Sequence, residues 1–312
     1  KNDNMLVAIT YPAILGDAAP TANSGKFKDW GFEGSINYNG KIGEVQYHVG
    51  GNITFARNEL TDYGGTSVLK SGYTSTQQGY SLNSIFGLRY GGKIQNEEML
   101  KAYLAKYYPN NGIGMPSNLR VGDNMYCDEN GDGVLDYRDY IYLGSDTPEI
   151  SYSFNAGASW KGIDFNIVFQ GSANRFVYRG IDAWTVPFRS LYTNSTTSSI
   201  GNTWSETNPN AYYNPYTTDA NIVSYNYQAN SLTAQDGRYI RLKNITVGYN
   251  LPASVLKKLG FVNAARIYFT GEDLWESTKI TDGWDPEAKR DASDVSRYPF
   301  TRNFTFGLNL TF

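Results

Sequence analysis

The stretch Glu149–Gln170, EISYSFNAGASWKGIDFNIVFQ, decides the fold. Ile150, Tyr152, Phe154, Ala156, Ala158 and Trp160 alternate with Ser151, Ser153, Asn155, Gly157 and Ser159. Successive side chains of a strand point to opposite faces, so this period of two gathers the apolar residues on one side and small polar ones on the other. After a tight Lys161-Gly162 turn the same rhythm returns, with Ile163, Phe165, Ile167 and Phe169 against Asp164, Asn166, Val168 and Gln170. The stretch is a hairpin with one apolar and one polar face.

A second hairpin of this kind runs over Trp30–Tyr38 and Val45–Phe55 around Asn39-Gly40-Lys41. Further strands are expected at about 4–10, 238–250, 264–274 and 301–312, making eight. Within 238–250, Ile240 and Leu242 are out of phase with Ile245, Val247 and Tyr249, which predicts a bulge near Lys243. Helical periodicity is confined to NEEMLKAYLAKY, Asn96–Tyr107.

The connections between these strands alternate in length. Those at 11–28, 57–148, 173–237 and 275–300 are long and polar, whereas those at 40–43, 161–162 and 251–263 are short. Long loops at one end and short turns at the other are the mark of outer-membrane barrels. Mean hydropathy is −0.47 and no apolar run approaches the roughly 18 residues of a transmembrane helix. A membrane strand needs no such run, because only every second residue meets lipid. Charged residues at 18% and aromatics at 15%, with 26 Tyr, fit that solvent. A closed eight-stranded barrel is filled by bulky side chains. The Ser, Gly, Asn and Thr of the polar face are too small for that. The expected fold class is therefore all-β, a transmembrane antiparallel β-barrel of which residues 1–312 supply eight strands of a larger wall, with outside loops near 57–148 and 173–237. Tyr and Trp near strand ends (Trp30, Trp160, Tyr249 and Trp275) read as interfacial anchors.

A net charge of −3 excludes a nucleic-acid footprint. Cys127 is the single cysteine, so no intrachain disulfide can form. His48, the single histidine, lies on a polar strand face, and no nucleophile elbow or phosphate loop is present, so the chain is not read as an enzyme. The sequence opens at Lys1 on an apolar stretch with no preceding turn, which suggests a piece of a longer or processed chain. Its last twelve residues, TRNFTFGLNLTF, put Phe304, Phe306, Leu308, Leu310 and Phe312 on one face. In a soluble protein such an edge would aggregate; as the final strand of a barrel, ending on an aromatic, it is the signal read by the barrel-assembly machinery.

Several of these segments together resemble the SusC/RagA family of TonB-dependent transporters of Bacteroidetes: Gly31–Asn58, the run Asp128–Tyr140 followed by Leu143–Gly171, Ile245–Trp275, GWDPE at Gly283–Glu287, and Tyr298–Phe312. The resemblance covers nearly the whole chain. It implies a barrel of about 22 strands around a plug, with this chain as the last eight strands and the plug and TonB-contacting segment elsewhere. It further implies residence in the outer membrane of a Gram-negative cell and a SusD-like lipoprotein lid. The activity it implies is TonB-driven import of oligosaccharide or peptide.

Two segments carry candidate sites. DENGDGVLDYRD, Asp128–Asp139, fits an EF-hand-type loop with Asp128, Asn130 and Asp132 at positions 1, 3 and 5 and Gly133 at the sharp turn. Val134 would offer its carbonyl at position 7, Asp136 stands at 9, and Asp139 takes position 12, where Glu is standard. A structural calcium is expected there; an ion-free, Asx-rich turn is the other reading. The loop 173–237 carries Trp184, Trp204, Tyr212, Tyr213 and Tyr216, rings on which a sugar could stack. For any one of them, packing within the loop or against the lid is the more economical reading. Two other functions compete with import: a non-energised barrel or adhesin, and an outer-membrane hydrolase, which the single histidine disfavours.

Overall fold

The computed structural model describes residues 2–8, 21–64, 70–72, 75–108, 110–180, 195, 197–288 and 300–312. In chain order the strands are β1 (Asn2–Ala8), β2 (Thr21–Ile42), β3 (Val45–Tyr63), β4 (Ser84–Gly87), β5 (Tyr90–Lys93), β6 (Asn124–Tyr126), β7 (Ile141–Ser145), β8 (Ile150–Trp160), β9 (Ile163–Ala173), β10 (Phe176–Val177), β11 (Gln235–Asp236), β12 (Tyr239–Asn250), β13 (Ala264–Thr278) and β14 (Asn303–Thr311). Among the described residues three α-helices accompany them, α1 (Glu97–Tyr107), α2 (Ala220–Asn226) and α3 (Ala253–Leu259). Among the described residues no helix is long and apolar enough to cross a membrane.

Eight strands form one antiparallel sheet in the order β1-β2-β3-β8-β9-β12-β13-β14. The sheet is open: β1 and β14 are its edges and do not pair with each other, as expected for part of a wider wall. Register keeps the two faces separate along its whole width. Phe32 pairs with Phe55, Phe55 with Ile150, Phe154 with Phe169, Val247 with Phe269, and Phe269 with Phe306. A one-residue slip would turn all of these to the polar face, so the alternation itself fixes the pairing. Phe32, Ile36, Ile267 and Phe306 are 60%, 76%, 53% and 82% exposed in the chain by itself, an apolar surface far larger than water tolerates.

The Lys161-Gly162 turn follows from its two residues, which both take positive φ (46° and 88°), the backbone whose twist matches a two-residue hairpin. The bulge expected near Lys243 is present: register shifts between Leu242 and Asn244 against both β9 and β13.

The expected spans of the first hairpin were too short. Residues 21–28, assigned to a loop, open the 22-residue β2, and β3 continues through 57–63, also assigned to a loop. Beyond Phe32 and Phe55 the apolar face becomes charged, with Trp30 opposite Arg57, Lys28 opposite Glu59 and Lys26 opposite Asp62. The ribbon therefore projects past the apolar belt with this face charged, while Phe27 and Leu60 pair on the other face and are buried. Likewise β13 runs on to Thr278. The expected strand at 4–10 is described only over Asn2–Ala8; residues 9–10 lie outside the described residues.

Candidate functional site

The two longest connections, 64–149 and 174–238, fold against each other. In the first, Asn96 caps α1 by accepting from the Met99 backbone N–H at 2.8 Å, and Glu97 and Glu98 occupy the first turn, where the helix dipole favours negative charge. Leu100, Tyr103 and Tyr107 then turn inward onto Leu88, Ile94, Leu119, Tyr126 and Leu135, and Tyr225 of α2 in the second connection completes that core. The hydroxyls of Tyr103 and Tyr225 meet at 2.9 Å, and Tyr126 donates its hydroxyl to the Tyr225 carbonyl at 2.7 Å. Burial pushes the Tyr103 phenol up to about 12.

A polar seam crosses the same junction. Asp123, 0% exposed, accepts from the Arg120 backbone N–H at 2.7 Å and from Asn226 Nδ2 at 2.8 Å. Asn124 donates to the Asn226 carbonyl and accepts from Asn214 and, at 3.3 Å, from the Lys93 ammonium. Lys93 is buried, and the loss of solvent lowers its pKa to about 8 even though Asp123 pulls the other way. The two connections thus form one unit with a shared apolar and polar interior.

The acidic loop lies on this unit. Asp128 accepts from the Gly131 and Gly133 backbone N–H groups at 2.7 and 2.9 Å. Asn130 accepts from Asp132 N–H, and Asp132 from Val134 N–H. Asp139 is buried and accepts from the backbone of Glu129 and of Asp136, both at 2.9 Å. Arg138 reaches Asp132 at 2.9 Å and Asp136 at 2.8 Å, and holds the Asp136 carboxyl below the usual carboxylate range. Glu129 is taken by Arg89 at 2.6 Å. The side chains proposed for calcium are therefore satisfied by their own backbone and by Arg138. Among the described residues no three acidic, histidine or cysteine side chains converge on a common point. In this conformation the set is not a cage.

The aromatic candidates are divided. Tyr213 is buried with Val223 and Tyr227, and Tyr212 meets it edge-on at 4.9 Å. Trp204 is half-buried beside Gly122, where a Cβ would lie 2.7 Å from its ring. Tyr216 is exposed, its hydroxyl near those of Ser199 and Thr203. Trp184 lies outside the described residues.

The polar face of the sheet carries amides, hydroxyls and a few charges. Asn52 donates to Ser153 at 2.7 Å, His48 and Asn166 meet at 3.2 Å, and Arg266 pairs with Asp164 at 2.6 Å. At the long-loop end of that face stands an ion cluster that the alternation gave no hint of. Arg241, whose side chain is 0% exposed, is held by Glu276 at 2.5 Å, Asp285 at 2.6 Å and Glu287 at 2.9 Å, and its guanidinium lies 4.0 Å over the Phe300 ring. Lys243, at the bulge, reaches Asp273 and Glu287. Asp282 meets Arg179 and accepts from Gln235 at 3.1 Å. The GWDPE turn is thereby tied to strands β12 and β13 and to the second long connection. The acidic pair in GWDPE, opposite two cations in an out-of-phase strand, was the signal available in the sequence.

No family model matches the chain. It is 27% identical over 337 residues to TonB-dependent receptor P26 of Formosa agariphila, covering 100% of this chain and 32% of that protein. To TonB-dependent receptor SusC of Bacteroides thetaiotaomicron it is 25% identical over 334 residues, covering 100% and 29%. The chain spans about a third of the length of the curated relatives it matches. Its fold matches the RagAB peptide transporter with TM-score 0.66 at 22% identity, over 99% of this chain and 32% of that one. The closed-closed state of the RagAB peptide importer gives 0.64 at 21% identity, again over 99% and 32%. Along its whole length the chain is thus similar in sequence to TonB-dependent receptors, SusC among them, and its eight-stranded wall, part of a β-barrel, shares the fold of the RagAB transporter.

Proposed function

We propose that the chain forms part of the wall and outer roof of an outer-membrane importer that takes up an oligosaccharide or oligopeptide with energy passed through TonB. The observation that carries this reading is the register: eight strands keep one face apolar and exposed, and the other lined with Asn, Ser, Thr and Gln. Lipid covers the first face. The second, too small in its side chains to fill the interior, faces a plug and a wet lumen supplied by the rest of the transporter. The folded long-loop unit is the seat for a SusD-like lipoprotein lid, and its size and ordered interior support a docking role.

The test is uptake. In the host cell, deletion of the gene encoding the full-length protein should abolish entry of one class of labelled cargo, oligosaccharide or oligopeptide, and deletion of tonB should abolish the same entry. Surface binding that persists without any TonB-dependent entry would instead identify a passive barrel or adhesin.

A further inference from the structure

At the long-loop edge of the apolar face the wall carries a small pocket. Phe32 and Phe55 stack at 5.7 Å as the last apolar pair of their hairpin on this side. Directly beyond them Trp30 stands opposite Arg57, with the Lys28 ammonium 4.8 Å from its ring. Arg57 and Glu59 follow Phe55 at intervals of two, so they share its outward face. Strand β8 begins opposite Phe55, and further along the edge of β3 is taken by a loop instead: Leu60 donates its N–H to the Tyr80 carbonyl at 3.0 Å and accepts from Gly79 at 2.8 Å. This brings the Tyr80 ring beside that of Tyr142, centroids 5.2 Å apart, and leaves both rings about two-fifths exposed. Arg57 pairs with Glu149 at 3.3 Å. The space between Arg57, Asn58, Glu59, Tyr80, Tyr142 and Glu149 is about 200 Å³.

We propose that this pocket binds a sugar of the glycolipid that forms the outer leaflet. The inference rests on the reading of the apolar face as lipid-facing. The chemistry is that of carbohydrate recognition: tyrosine faces pack against the C–H face of a pyranose, and carboxylates, an amide and a guanidinium bond its hydroxyls. The volume suits a single ring and is below that of sites for larger ligands. Position selects the source. Cargo travels along the polar face, whereas Arg57 and Glu59 of this pocket stand on the outward face, one step above the last lipid-facing aromatics, where the headgroup sugars stand. Lys28 and Arg57, beside Trp30, add attraction for phosphates carried on such sugars.

The test uses the full-length transporter in lipid nanodiscs, with deep-rough lipopolysaccharide as one probe and soluble maltose as the other. Wild type should retain lipopolysaccharide, and the Tyr80→Ala/Tyr142→Ala variant should bind it about tenfold more weakly, the equivalent of two lost aromatic contacts. Arg57→Gln, an exposed change, should also weaken it, and maltose should not compete. Equal retention by wild type and by whichever variants keep heat-modifiable migration overturns the proposal, as does displacement by maltose. Failure of the wild type to enter nanodiscs as a heat-modifiable barrel would sink the membrane reading itself, a result visible before any lipid is added.

Discussion

Arg266 and Asp164 face each other from strands that are not neighbours: Nη2 lies 2.6 Å from Oδ2, although β12 runs between β13 and β9. The pair closes over Gly248, whose missing side chain makes the room. A Cβ there would lie 2.5 Å from the Arg266 guanidinium and 2.7 Å from the Asp164 carboxylate. The same device recurs on this face, where His48 lies over Gly157 and Tyr268 over Gly307, the would-be Cβ contacts being 2.2 and 2.1 Å. Glycines in the wall are thus seats for side chains of the adjacent strands, and these tie the sheet across its hydrogen-bond direction.

Gly248→Ala should break the Arg266–Asp164 pair while leaving the strand intact, because the obstructing atoms are the ends of flexible side chains. The expected loss is about 0.5–1 kcal/mol, typical of a partly exposed pair. A double-mutant cycle of Asp164→Asn and Arg266→Gln in urea unfolding should show coupling in the wild type and none in the Gly248→Ala background. Undiminished coupling in that background would show that the pair does not depend on the glycine.

Lys93→Met should stabilise the long-loop unit at neutral pH. In the folded chain burial lowers Lys93 to about 8, against 10.5 for an exposed lysine. Between those values the unfolded chain holds a proton that the folded chain has released, so stability rises with pH across that window; below pH 8 the full cost of the buried charge is borne. The cost is on the order of 2–3 kcal/mol at pH 7, discounted for the loss of its contacts to Asn124 and Asp123. Amide exchange of α1 and β6 at pH 7 and 9.5 reads it. The wild type should be better protected at the higher pH after correction for intrinsic rates, and the variant equally protected at both.

Arg241→Gln should release the GWDPE turn. Removing Arg241, which reaches Glu276, Asp285 and Glu287, leaves carboxylates facing one another with, among the described residues, Lys243 to offset them. Because the three carboxylates keep part of their hydration, the loss is below that of a fully buried pair, on the order of 2 kcal/mol. Limited proteolysis should show new cleavage within 279–288. Arg241→Lys should rescue only in part, since a point charge cannot bond three carboxylates as the planar fork does. A turn that stays resistant in both variants would show that Arg179 and Arg175 hold it unaided.

The parts of this fold legible in the sequence were those where one solvent imposes a pattern. Between Phe32 and Ile42 the apolar face demands a large apolar residue or a glycine at every second position, so strand identity, phase and even the Lys243 bulge could be read. Past Trp30 that demand ends. Lys26, Lys28, Glu59 and Asp62 alternate with a single large apolar residue in each strand, Phe27 and Leu60, too few to mark a period, and the projecting half of the hairpin looked like loop. The roof was opaque for a different reason. Tyr103 and Tyr225 are 122 residues apart and their contact leaves no local periodicity, while α2 is too short for a helical signal. α1 was legible because its Asn96 cap, acidic first turn and apolar stripe are all local.

Calcium, if it binds the Asp128–Asp139 loop, must compete with Arg138. The guanidinium now neutralises Asp132 and Asp136, two of the oxygen donors an ion would need, at 2.9 and 2.8 Å. It also lowers the Asp136 carboxyl below its usual range, so the pairing is in place at neutral pH and is lost only as pH falls through that depressed value. Of the remaining donors, Asp128, Asn130 and the Val134 carbonyl already sit in the tight Asx-bonded turn that such a loop requires, and Asp139 accepts from the Glu129 and Asp136 backbone N–H groups. Arg138→Gln in the full-length protein should therefore tighten calcium binding by about two- to fivefold, the modest gain expected from releasing an exposed ion pair. Asp128→Asn should abolish it in either background, since position 1 is an indispensable charged donor. Terbium luminescence and the calcium-dependent shift in amide exchange of residues 124–140 provide two independent readings. If neither wild type nor Arg138→Gln responds to millimolar calcium, the loop is an ion-free turn locked by its own arginine, and its acidic residues are there to receive backbone N–H groups.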